Sequence, residues 1–183
     1  MLVVAGFALS MALVLGAPGG DSATSSVVRN FYASYPKVHR PGGLPTAAEL
    51  KQLEPFLSAS LRLLIIEANE YSARYQRQHP DEKPPFVDGD YFCSNFEGFS
   101  RFEIAGVDKR RSGYRVVVRF EYDSPPDADG AAEDTAKAKD VVRWEDAVIL
   151  VESGGGWAID DVEYHAPWPF ANHGRLSQAL RAR

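Results

Sequence analysis

The hydrophobic period of this chain changes once, near residue 100, and that change restricts the possible architectures more than any single motif. Before it, apolar residues recur at helical spacing. Val27, Val28, Phe31, Tyr32 and Tyr35 form one stripe, and Leu61, Leu64, Ile65, Ala68, Ser72 and Tyr75 form a second. After it, apolar and polar residues alternate. Phe102 and Ile104 begin the pattern, and Val116, Val118, Phe120 and Tyr122 share one face of the next segment. Residues 141–153 and 157–165 flank Ser153-Gly154-Gly155-Gly156, which reads as a two-stranded antiparallel hairpin. Helices first and strands after is the order of an α+β fold. The expectation is a set of N-terminal helices packed in a curved antiparallel sheet of three to five strands, cone-like in shape. Leu61, Leu64, Ile65, Val116, Val118, Phe120, Ile149 and Trp157 are expected to be buried together.

Local signals set the boundaries. Ser25-Ser26 can cap the first helix and Pro36 is expected to end it. Thr46-Ala47-Ala48-Glu49 is a capping box, Pro55 limits the short helix behind it, and Ser58 caps a long helix to Gln78. Pro41-Gly42-Gly43 reads as a turn, and Pro80, Pro84 and Pro85 open a loop. Residues 123–140 read as an acidic loop poor in apolar residues. Asp160-Asp161 interrupts the last strand's alternation, which a β-bulge would restore.

The length of 183 residues fits one domain, expected over 24–170. Ahead of it, the uncharged run Leu2–Leu15 followed by Ala17-Pro18-Gly19 has the form of a signal peptide over residues 1–23. The chain is accordingly expected to be exported, to the periplasm or cell envelope, and to contact a membrane only if that segment stays uncleaved. Arg175, Arg181 and Arg183 mark residues 171–183 as a basic, solvated tail. A net charge of −5 argues against nucleic-acid binding. Cys93 lies among aromatics and reads as a small buried residue. His39 and His79 fall in Pro-rich loops where solvation is expected, and no ligand spacing suggests a metal or another cofactor.

Three short stretches carry a resemblance. Val27-Val28-Arg29-Asn30-Phe31-Tyr32, Phe56-Leu57-Ser58-Ala59-Ser60-Leu61 and Gly156-Trp157-Ala158-Ile159-Asp160-Asp161-Val162 follow in an order that resembles the nuclear transport factor 2-like, or cystatin-like cone, superfamily. With Gly89-Asp90-Tyr91-Phe92 ahead of the sheet, the chain looks most like small exported bacterial proteins of that group. The resemblance implies a cone fold. It leaves activity open, because the superfamily holds isomerases and cyclases alongside non-catalytic domains.

Two functions follow as expectations. The first is a non-catalytic exported module that binds a small apolar ligand or a protein partner, as an immunity or inhibitor protein does. Its contact residues would be Tyr35, Trp168 and Phe170, since aromatics dominate interface energetics. The alternative is an isomerase- or cyclase-like enzyme using the cone cavity. It would need a carboxylate base, Asp90 or Asp161, with Tyr32 as hydrogen-bond donor. Asp161 is expected to face solvent at the bulge, and Asp90 to order the loop before the sheet.

Overall fold

The computed structural model describes residues 19–40, 42–124 and 141–182. The apolar run Leu2–Leu15, the cleavage bond near Ala17, Pro41 and most of the acidic loop lie outside them. Three helices come first: α1 (Gly19–Val38), α2 (Ala47–Leu53) with a 3-10 turn at Glu54–Phe56, and α3 (Ala59–Gln78). Strands β1 (Arg101–Arg110), β2 (Gly113–Asp123), β3 (Val141–Ser153), β4 (Gly156–Tyr164) and β5 (Gly174–Arg175) follow, and α4 (Leu176–Arg181) comes last. The strands pair antiparallel in the order β1-β2-β3-β4-β5 and leave the sheet open. This is the expected α+β fold, with helices packed on a curved sheet.

The signals that build it are local. Thr46 accepts the Glu49 N–H while the Glu49 carboxylate accepts the Thr46 N–H at 2.7 Å, a complete capping box. The Ser58 hydroxyl accepts the Leu61 N–H at 3.0 Å and starts α3. Gly154 and Gly155 both hold positive φ, as the tight β3–β4 turn requires. In register, Ile149 faces Asp161 and Leu150 faces Ile159, so Asp160 is the extra residue of a bulge. A second irregularity in β1, between Ile104 and Gly106, bends the other side of the sheet.

The core lies between the helices and one sheet face. Val28, Phe31, Tyr32 and Tyr35 of α1 and Leu61, Ile65 and Ala68 of α3 meet Val116, Val118, Phe120, Trp144, Val148, Leu150, Ile159 and Val162. Three expected core residues are placed differently. Ile149 lies on the opposite face of β3 and is half-buried, because the inward set is Trp144, Asp146, Val148 and Leu150. Trp157 and Leu64 only border the core, each half-buried. Leu64→Ala is accordingly expected to cost about 1 kcal/mol in chemical denaturation, below the 2–5 kcal/mol of a fully buried leucine. A loss above about 3 kcal/mol would show that Leu64 is a core residue after all.

The other departures have identifiable causes. α1 begins at Gly19, ahead of the Ser25-Ser26 cap, and the Ser26 hydroxyl instead donates to the Ser22 carbonyl within the helix at 2.7 Å. Pro36 sits inside its last turn, and the helix stops two residues later. His39 is buried, not solvated, with its ring nitrogens 3.3 Å from Glu49 Oε2 and 3.1 Å from the Gly43 carbonyl. The basic tail is also part of the fold: β5 pairs with β4, and Leu176 and Leu180 of α4 are completely buried against α3 and β4. Among the described residues, no helix is long and apolar enough to cross a membrane.

Candidate functional site

The segment between α3 and β1 contains the Gly-Asp-Tyr-Phe stretch and has no ladder of its own. Yet Asp90, Phe92, Cys93, Ser94 and Asn95 are buried. Buried backbone polar groups need partners, and here side chains from distant elements supply them. Tyr32 of α1 donates its hydroxyl to the Phe92 carbonyl at 2.8 Å. Tyr164 of β4 donates to the Tyr91 carbonyl at 2.6 Å. The Asn172 amide donates to the carbonyls of Asp90 and Cys93 at 2.8 and 2.9 Å, and its N–H donates to the Ser94 carbonyl at 2.8 Å.

Two carboxylates serve the N–H groups. Asp90 Oδ1 accepts the Phe92 N–H at 2.7 Å and the Tyr35 hydroxyl at 3.1 Å. Burial pushes its carboxyl up to about 6, against the lowering effect of these hydrogen bonds. Asp146, on the inward face of β3, is 0% exposed. Its Oδ2 accepts the Ser94 N–H at 2.7 Å and the Trp144 indole N–H at 2.9 Å. Its Oδ1 accepts the His165 N–H at 2.9 Å and the Ser94 hydroxyl. Burial raises this carboxyl as well. Asp146 was not among the expected functional residues. The available signal was a carboxylate at a position the alternation assigns to the dry face, between Trp144 and Val148.

The expected catalytic residues are therefore placed as follows. Tyr32 and Asp90 do face the same loop, but Asp90 takes its phenol from Tyr35, one turn further along α1, and Tyr32 is committed to a main-chain carbonyl. Asp90 orders the loop as expected. Asp161 does not face solvent: it is 6% exposed, and it accepts the Ser177 N–H at 2.9 Å and the Ser177 hydroxyl at 2.7 Å, which ties α4 to the sheet. Burial, with Asp146 the next cause, holds the Tyr32 phenol protonated, and burial does the same for Tyr35. Cys93 is buried, its thiol raised by that burial and donating to the Asn95 carbonyl. The space these groups face is occupied by the rings of Phe31, Phe92, Phe99 and Phe120, packed 4.9–5.6 Å from one another or from Tyr32. The arrangement can hold a loop rigid. Tyr32, Asp90 and Asp146 each spend a hydrogen bond on the loop's own carbonyl and N–H groups.

The remaining expected contact residues separate. Tyr35 is buried and offers no surface. Trp168 and Phe170 reach the outside through a chain of rings: Phe120 stacks on Trp144 at 5.4 Å, Trp144 meets Trp168 edge-on at 5.8 Å, and Trp168 lies 5.9 Å from Phe170. Phe170 is 75% exposed. The Trp168 indole N–H is buried and has no acceptor among the described residues. Half-buried Phe99, Phe102, Tyr122 and Val142 lie at the edge of the core with Trp168. No protein-family model matches the chain, and no curated protein matches it.

Proposed function

We propose that the chain is a non-catalytic, exported interaction module of the nuclear transport factor 2-like cone type, and that Trp168 and Phe170 form its contact edge. The observation that carries this reading is Phe170, three-quarters exposed on a ring stack that reaches back into the core. An aromatic held rigid but left bare has the properties of an interface anchor. The residues a catalytic reading would use are engaged in holding backbone, which removes the main support for that alternative. A protein partner fits an open aromatic edge better than a small apolar ligand does, because a ligand-binding site encloses most of its ligand.

The test is affinity capture from cell-envelope extract, comparing the chain with Phe170→Ala and Trp168→Ala. A partner retained by the parent chain and lost by both variants, with unchanged circular dichroism, is the expected result. Equal recovery by all three would sink the proposal. Export is tested separately. N-terminal sequencing of the envelope fraction is expected to begin between Gly16 and Thr24, and an intact Met1 confined to the cytoplasm would contradict it.

A further inference from the structure

α3 buries Leu61, Ile65, Ala68 and Ser72. Its opposite side carries Ala59, Leu63, Ile66, Glu70, Ala73 and Arg77, all exposed. These residues follow one another at intervals of four, three, four, three and four, the spacing of a seam between packed helices. Leu63 is 58% and Ile66 42% exposed. Next to Ile66 a shallow open groove runs between α2 and α3, lined by Leu50, Lys51, Glu54 and Arg62. Arg62 pairs with Glu54 through one terminal nitrogen, and 29% of its side chain stays exposed. A guanidinium carries more N–H groups than one carboxylate uses, and a second carboxylate is their best complement.

The same helix carries that carboxylate. Glu70 is exposed, with Arg74 3.8 Å away. Arg62 and Glu70 lie four residues to either side of Ile66. We propose that a second copy of this chain docks antiparallel on the exposed face of α3, with the two-fold axis at Ile66. Ile66 then packs on Ile66 of the second copy at the mouth of the groove, and each Arg62 meets the other copy's Glu70 across the seam. A parallel arrangement would set like charges together. A two-fold interface requires one patch that complements itself, and this patch holds both halves of each ion pair. The surface is distinct from the Trp168–Phe170 edge, so the two readings stand or fall separately.

Sedimentation of the purified chain over a concentration series reads the outcome. A reversible dimer that weakens as salt is raised is expected. Ile66→Asp is expected to leave it monomeric, and Glu70→Arg to weaken it about tenfold or more. The charge-swapped double variant Arg62→Glu/Glu70→Arg is expected to recover most of that loss, because each reversed pair is restored across the axis. Ile66 and Glu70 are exposed, so circular dichroism and melting of the two single variants should match the parent. A monomer at every concentration would overturn the proposal. So would a dimer indifferent to Ile66→Asp, or a double variant no tighter than Glu70→Arg alone.

Discussion

Asp146→Ala is expected to be the most damaging single substitution in this protein, with a loss of about 5 kcal/mol in urea denaturation. The carboxylate is completely buried and accepts from Ser94 twice, from the Trp144 indole and from the His165 backbone. Truncation would leave these donors with no acceptor in an interior that water does not reach, at about 1–3 kcal/mol for each donor left unmet. Ser94→Ala removes one of these four bonds and also the acceptor of the Ala166 N–H at 3.2 Å, and is expected to cost about 2 kcal/mol. If the two variants prove equally stable, Asp146 does not organise the loop.

The second large effect is a pH dependence from Asp90. Its carboxyl sits at about 6 in the folded chain, against 3.8 ordinarily. A raised acid contributes stability that is fully present below its unfolded value and is lost as pH climbs through its folded value. Asp90 therefore favours folding most below about pH 4 and loses that contribution between about pH 4 and 6, by about 3 kcal/mol in total. Asp146, raised in the same direction by burial, adds to the trend. Two half-buried carboxylates oppose it. Glu49 is pushed up by partial burial but held below its usual value by Thr46 and His39, and Glu121 is lowered by Arg143 and then Arg101. Stability from these two is lost as pH falls. The stability difference between the parent and Asp90→Asn isolates the buried group, since the amide does not titrate. From pH 3 to pH 7, that difference should move about 3 kcal/mol in favour of the asparagine variant. A difference independent of pH would mean that Asp90 ionises freely.

Whether an element could be read from the sequence followed from how local its cause is. The β3–β4 hairpin, the Asp160 bulge, the Thr46 capping box and the Ser58 cap each depend on residues within a few positions of one another, and each was readable. The start of α1 was not, because serines that can cap a helix can also bond back within one, as Ser26 does. The docking of α4 was not readable either. Two leucines four apart in a basic stretch carry little pattern, and the decisive contact is Ser177 with Asp161, sixteen residues away on β4. The candidate site shows the same division. The ring stack at Trp168 and Phe170 was visible as composition. The roles of Tyr32, Asp90 and Asp146 depended on loop carbonyls and N–H groups up to sixty residues away, which no spacing rule reaches.

The clasp formed by Asn172 and Ser177 also sets an order of events during synthesis. Residues 89–96 leave α3 early, but the groups that satisfy the carbonyls of Asp90, Cys93 and Ser94 are made about eighty residues later. Asp161 similarly waits for Ser177. A nascent chain that has completed its hairpins still holds an unsatisfied loop at its centre, so the core closes only when residues 172–180 arrive. Such late, long-range closure is slow. It gives a chaperone an interval in which the chain is extended enough to be handled, and it makes chains truncated before residue 172 targets for proteolysis rather than a reservoir of partly working protein.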